Sequence, residues 1–252
     1  LPAEKIEELC KIMLEEMLQV LSVSSKIEKI ILVTKEQKAI EIGKKFNTIT
    51  IIDTKEESVN QAVSLADKYL LENNFNASIV FPQDIPCIKT QDIDFMLKYQ
   101  MHPNFVIIVP SRNFDGTNAL VRMPIDIMKT HYDNDSYRNH MKTAKEHTLN
   151  VAMVFVKRIM LDIDNQEDLD ILLEQNEKPE LLKKIREILT KLGNKIIITT
   201  QIKQANLIIG LKKHLRQNFR LKQLAHKRNI PIYTISQRSI YQIMRLLQFF
   251  IS

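Results

Sequence analysis

Asn104-Phe105-Val106-Ile107-Ile108-Val109-Pro110-Ser111-Arg112-Asn113-Phe114-Asp115-Gly116-Thr117-Asn118-Ala119-Leu120 passes from an unbroken apolar run into a polar stretch that holds one of the chain's four glycines. A short β-branched run closed by proline predicts a strand covered on both faces. The polar stretch predicts a loop past the strand's carboxyl end, where open α/β sheets bind their ligands. Arg112, Thr117 and Asn118 bring together a guanidinium, a hydroxyl and an amide. With exposed backbone amides they suit a phosphate or a carboxylate. In a chain with so few glycines, the placing of Gly116 in this stretch is notable.

The same alternation extends in both directions. Toward the N terminus, helical spacing of Leu9, Met13, Leu14, Met17 and Leu18 predicts a helix over 3–22. Strands follow at 29–34, 48–52 and 77–82. Helices are predicted at 35–45, from a Ser58 cap to about Glu72, and after Thr90. Toward the C terminus come a helix over 136–147, short strands at 151–157 and 159–161, and a helix over 166–175. Strands alternating with helices predict an α/β fold with a mostly parallel sheet and helices on both faces.

Charge divides the chain. Residues 1–177 carry 20 Lys and Arg against 28 Asp and Glu, a net of −8. Residues 178–252 carry 16 against 2, a net of +14. This step predicts two domains, 1–177 and 178–252, the second a basic α/β module with an anionic partner. Its strands are expected at 195–200, 206–210 and 232–235, with a basic helix over 212–229 and a last helix capped by Ser236 or Ser239. A positive excess of this size suits nucleic-acid phosphates, bound electrostatically and released by salt, or docking on an acidic surface.

Cys10 and Cys87 lie far apart in apolar surroundings, which predicts a reduced, cytoplasmic protein rather than a disulfide framework. No run of 18 apolar residues suggests a membrane span, and no signal peptide opens the chain. Leu1 stands where a methionine would, so the natural N terminus is expected upstream.

Two acidic motifs add to the loop. Asp84 sits between Pro82 and Pro86 just past a strand end, where a carboxylate can hold Mg²⁺ beside phosphate oxygens. In Leu161-Asp162-Ile163-Asp164-Asn165-Gln166-Glu167-Asp168-Leu169, an extended start would point Asp162 and Asp164 to one side. Two such carboxylates favour a cation. Glu167 and Asp168 suit the first turn of a helix instead.

In this order, the proline-flanked Asp84, the Pro110–Leu120 segment, Ser136-Tyr137-Arg138-Asn139-His140 and the 161–169 motif resemble the 2-phospho-L-lactate guanylyltransferase family over residues 1 to about 177. The resemblance implies a nucleotidyltransferase fold. It implies transfer of GMP from GTP to 2-phospho-L-lactate or phosphoenolpyruvate, with release of pyrophosphate, on the way to a deazaflavin coenzyme. It implies Mg²⁺ on Asp84, Asp162 and Asp164, and the acid's phosphate or carboxylate on Thr117 and Ser136. Asp133 stands where the family has glycine, three residues before Ser136, and its charge bears on which acid is accepted. No protein nucleophile is implied, so His140, His131 and Cys87 are read as structural.

Leu1–Glu4 aligns with the segment that follows the family's opening strand and basic loop. The resemblance therefore implies weak or no guanylyl transfer by this chain alone. It also implies an unfilled place in the sheet that could promote self-association. A catalytically impaired binder acting through residues 178–252 is the alternative. Gln204 to Ile243 also resembles the C-terminal module of AAA-type ATPases of plastids and cyanobacteria, without a Walker A sequence.

Overall fold

The computed structural model describes residues 3–55, 58–133, 135–174, 177–190, 205–212, 215 and 218–235. Packing divides the chain into two compact units, residues 10–163 and residues 1–9 with 164–252. The division falls ahead of the charge step at 177/178.

α1 spans Ala3–Ser22 and buries Met13, Leu14, Met17, Leu18 and Leu21, a stripe three to four residues apart. Leu14 and Leu18 pack on Ile42 of α2 (Gln37–Lys45). Between and after these helices, β1 (Ile31–Val33) and β2 (Ile49–Ile51) pair in parallel. α3 (Val59–Glu72) starts at Ser58, whose Oγ accepts the Gln61 N–H at 3.1 Å. The cap lies where the sequence places it.

The main sheet joins β3 (Ser78–Val80), β4 (Phe105–Pro110), β5 (Thr117–Met123) and β6 (Val151–Met153) in the order β3-β5-β4-β6. β4 and β6 are parallel, while β5 runs antiparallel to both β3 and β4. Three of the four strands thus share one direction. α4 (Thr90–Met96) and α5 (Ser136–His147) complete the unit. Met17, Ile85, Ile88, Ile93, Phe105, Ile107, Val109 and Val121 belong to one core cluster, and Val106, Ile108, Leu120 and Ala144 to another. The two faces of β4 feed different clusters, so the run of six reads as continuous apolarity.

Two sequence expectations change here. The polar stretch after Pro110 is a loop only through Gly116; from Thr117 the chain forms β5. Its buried polar residues hid the strand pattern: Thr117, Asn118 and Arg122 all lie inside, each with its side chain hydrogen-bonded, Thr117 to His140, Asn118 to the Ile159 carbonyl and Arg122 to Asp67. The strand expected at 159–161 is a turn with an irregular exit. The Val156 carbonyl accepts N–H bonds from both Ile159 and Met160, at 2.9 Å each. Ile159 and Leu161 are apolar because this turn is buried, not because it is extended.

Among the described residues, β1 pairs with β2 and β3 with β5. Both β1 and β3 line one cavity of about 590 Å³, together with Leu14, Leu18 and Leu21 of α1 and Val63 of α3.

The second unit contains α6 (Gln166–Glu174), α7 (Pro179–Thr190), β7 (Ile208–Leu211), α8 (Phe219–Lys227) and β8 (Ile232–Ile235). Asn165 Oδ1 accepts the N–H groups of Glu167 and Asp168, which caps α6. β7 and β8 are parallel, with Ile208 opposite Ile232. The basic helix starts at an Asn218 cap and leaves Arg220, Lys222 and Lys227 exposed. The expected strand at 195–200 and the last helix lie outside the described residues. No helix among those described is long and apolar enough to cross a membrane.

Candidate active site

Because β5 reverses direction, its first residue stands at the same end of the sheet as the carboxyl ends of β3, β4 and β6. The loop at that end closes on itself. Ser111 Oγ donates to Asp115 Oδ1 at 2.8 Å and accepts the N–H groups of Asp115 and Gly116 at 3.3 and 2.9 Å. Its backbone N–H donates to the Gly116 carbonyl at 2.9 Å, and its carbonyl accepts from Phe114 N–H at 3.1 Å. The loop amides expected to face an anion are therefore turned inward onto Ser111. The left-handed residue is Phe114, with φ of 55°, and not the glycine. Gly116 instead lets the loop close on Ser111: a Cβ there would lie 3.3 Å from Ser111 Cβ, so the serine would have to yield by a few tenths of an ångström.

This closed loop fixes where Thr117 and Ser136 meet. The Asp115 carbonyl accepts the Ser136 N–H at 3.0 Å, which ties the loop to the first turn of α5. Thr117 and Ser136 hydroxyls lie 3.2 Å apart, both buried. Behind them stands His140, one helical turn after Ser136 on the same face of α5. Its Nδ1 lies 2.9 Å from Thr117 Oγ1, and its Nε2 accepts the His131 backbone N–H at 2.7 Å. The ring has no exposure, and the Tyr132 ring packs edge-on at 4.8 Å. Burial, then the neighbouring His131 and Arg122 charges, push the imidazole pKa down to about 3. The sequence placed Thr117 and Ser136 together through a resemblance; it did not connect His140 to them. The four-residue step from Ser136 to His140 is the signal that could have done so.

The remaining substrate candidates differ in setting. Asn118 is buried and its amide donates to the Ile159 carbonyl at 3.0 Å. Arg112 is half-buried, and its backbone N–H donates to the Met160 carbonyl at 2.7 Å. Both therefore anchor the 156–161 turn beside the loop. Asp133 is exposed, with its carboxylate 3.4 Å from the Asn60 amide nitrogen. Asn60 also accepts the Tyr132 N–H at 2.8 Å, so α3 holds the 132–133 segment in place. At the loop's outer rim, the Phe114 ring meets those of Tyr137 and Phe155 edge-on at 5.9 and 5.8 Å.

Two of the three predicted metal ligands share the 10–163 unit. The Asp84 carbonyl accepts the Ile163 N–H at 2.9 Å, which brings the turn of Asp84 beside Asp162. Asp164 begins the other unit. It is exposed, and its N–H donates to the buried Asp168 carboxylate at 3.3 Å. No group of three or more His, Cys, Asp and Glu among the described residues is placed to hold a metal. An oxygen-only pair at Asp84 and Asp162 would suit an ion that takes one or two carboxylates and keeps water and phosphate oxygens for the rest.

A largely one-directional sheet with a single reversed strand, and with the Thr117 and Ser136 hydroxyls meeting past its strand ends, fits a nucleotidyltransferase-like α/β fold. The fold is shared with a solved structure from Desulfovibrio desulfuricans described as a nucleotide-diphospho-sugar transferase. The TM-score is 0.58 and the identity 14%, over 75% of this chain and 86% of that one. The chain belongs to the family described as guanylyl transferase CofC like, which matches residues 1–203. It is 28% identical to the phosphoenolpyruvate guanylyltransferase of Conexibacter woesei, over 66% of this chain and 75% of that protein. It is 26% identical to the 2-phospho-L-lactate guanylyltransferase of Methanobrevibacter smithii, over 75% and 81%. A 3-phospho-D-glycerate guanylyltransferase of Colwellia psychrerythraea is 28% identical over 57% and 67%. Residues 182–251 match a family described as phosphotyrosine protein phosphatase. That segment contains no cysteine, so it offers no thiolate nucleophile.

Proposed function

We propose that this chain works as a guanylyltransferase that joins GMP from GTP to a small phosphorylated carboxylic acid, 2-phospho-L-lactate or phosphoenolpyruvate. The observation that carries this reading is the meeting of Thr117 and Ser136 hydroxyls at 3.2 Å past the strand ends. A phosphate oxygen of the acid attacks the α-phosphorus of GTP. The bond from that phosphorus to the bridging oxygen breaks, and pyrophosphate leaves with the electron pair. The protein supplies position rather than a nucleophile. Thr117 and Ser136 orient the acid, and the 111–116 loop fixes Thr117. The product would be a diphosphate-bridged (P–O–P) guanosine conjugate of the acid, a precursor of a deazaflavin coenzyme. Mg²⁺, held by Asp84 and Asp162, would neutralise charge on the phosphates.

Calorimetry of the full chain with each acid, paired with pyrophosphate release from GTP and Mg²⁺, tests this. Saturable binding of one acid is expected, with pyrophosphate release that depends on it. A folded chain that binds neither acid overturns the reading.

A further inference from the structure

The contacts around His140 permit a proton count. A neutral imidazole carries one N–H, on either Nδ1 or Nε2. Nε2 accepts the His131 backbone N–H at 2.7 Å and so carries no proton of its own. The single ring proton is then on Nδ1, which points at Thr117 Oγ1 from 2.9 Å. Thr117 Oγ1 must accept it. The contact between Thr117 and Ser136, 3.2 Å long, uses one of the two hydroxyl protons. One hydroxyl proton of the pair remains unused.

The opposite tautomer gives the opposite result. With the proton on Nε2, Thr117 would donate to Nδ1 and Ser136 to Thr117. Both hydroxyl protons would be consumed, and the pair would show only lone pairs to an incoming oxygen. An anion would be repelled by the same two residues that otherwise bind it. The His131 backbone N–H selects between these states, and a backbone amide cannot reverse its donor role.

We propose that His140 is a positioning residue whose Nδ1–H tautomer, set by the His131 backbone N–H, leaves the Thr117–Ser136 pair with one proton to donate to an anionic oxygen of the acid. This rests on the reading of that pair as the acid site. Both ring nitrogens are occupied, so His140 is not a general acid or base. Its ring stays neutral through the working pH range, and the donor count does not change with pH there.

The full chain, labelled with ¹⁵N at histidine, reads the tautomer directly by NMR. The expected result is a protonated Nδ1 and a bare Nε2 on His140, unchanged from pH 5.5 to 8. Two substitutions separate the ring's roles. His140→Asn places an amide N–H near the position of Nδ1, whereas His140→Gln places its amide near Nε2 and leaves Thr117 without its donor. Calorimetry with 2-phospho-L-lactate and phosphoenolpyruvate should find the bound acid weakened roughly tenfold or more in His140→Gln, and about threefold or less in His140→Asn. GTP affinity should stay level in both. An Nε2-protonated His140, or a His140→Gln chain that binds the acid like the parent, overturns the proposal while leaving the acid site standing. A parent chain that binds neither acid removes the acid site itself, whichever tautomer is found.

Discussion

His140 Nε2 accepts the backbone N–H of His131 at 2.7 Å, in a pocket that leaves the ring no exposure. This geometry has a consequence for stability as well as for the site. The folded pKa, about 3, lies well below the ordinary value of 6.5. Between these values the unfolded chain binds more protons than the folded one. Stability from this group is therefore complete above pH 6.5 and is lost as pH falls toward 3. The loss is on the order of a few kcal/mol across that window. Urea unfolding at pH 7.5, 6 and 5 should show the parent chain weakening more steeply than His140→Asn. Parallel curves for the two would sink the assignment of a buried neutral ring.

Ser111 is a structural serine beside the proposed acid site. Its hydroxyl holds Asp115 and accepts two backbone N–H groups. Ser111→Ala leaves those groups without their acceptor, at a cost of about 1–3 kcal/mol. Chemical denaturation should show that loss, and acid affinity should fall only as far as Thr117 is displaced. Unchanged stability with a tenfold drop in acid affinity would instead make Ser111 a direct ligand.

How much of this was legible follows from where the partners lie. The 104–110 run, the Ser58 cap and the stripe of α1 are local patterns, and the structure places them where the spacing does. β5 was hidden because its inward positions are polar. Asn118 is satisfied by Ile159, and Arg122 by Asp67 and Ser78, all more than 40 residues away in sequence. No window of the sequence contains both members of such a pair. The segment at 159–161 misled in the opposite sense, since burial made an irregular segment as apolar as a strand. At the site, Thr117 and Ser136 were found through motif order. Their link to His140 depends on β5 and α5 meeting, which no local pattern encodes.

Arg122 gives a third prediction. Its guanidinium is 1% exposed, and donates to both Asp67 oxygens at 2.8 and 2.6 Å and to Ser78 Oγ at 3.1 Å. β5 is thereby bonded to α3. Asp67→Asn leaves a buried cation short of its counter-charge and should cost about 3–5 kcal/mol. Combining Arg122→Met with Asp67→Leu removes both charges, and should recover more than half of that loss. Urea midpoints of the single and double variants decide the matter. A double variant as weak as Asp67→Asn would mean that packing, not charge, holds β5 to α3.

The last prediction concerns the carboxylates. The bond from Ile163 N–H to the Asp84 carbonyl, 2.9 Å long, keeps the backbones of the Asp84 turn and the Asp162 segment adjacent. Carboxylates brought together on these backbones would repel without a cation, and a hard divalent ion is the chemical match for an oxygen-only pair. Replacing either aspartate with asparagine keeps the shape and removes one charge. Mn²⁺ serves as a spectroscopic substitute, with the bound ion counted by electron paramagnetic resonance in the presence of GTP. Each of Asp84→Asn and Asp162→Asn should weaken ion binding roughly tenfold, the equivalent of about 1.4 kcal/mol of lost attraction. Circular dichroism should remain that of the parent. If only one variant loses the ion, the two carboxylates do not share it. If neither does, the turn after β3 is a structural feature, and the charge of the phosphates must be met elsewhere in the site.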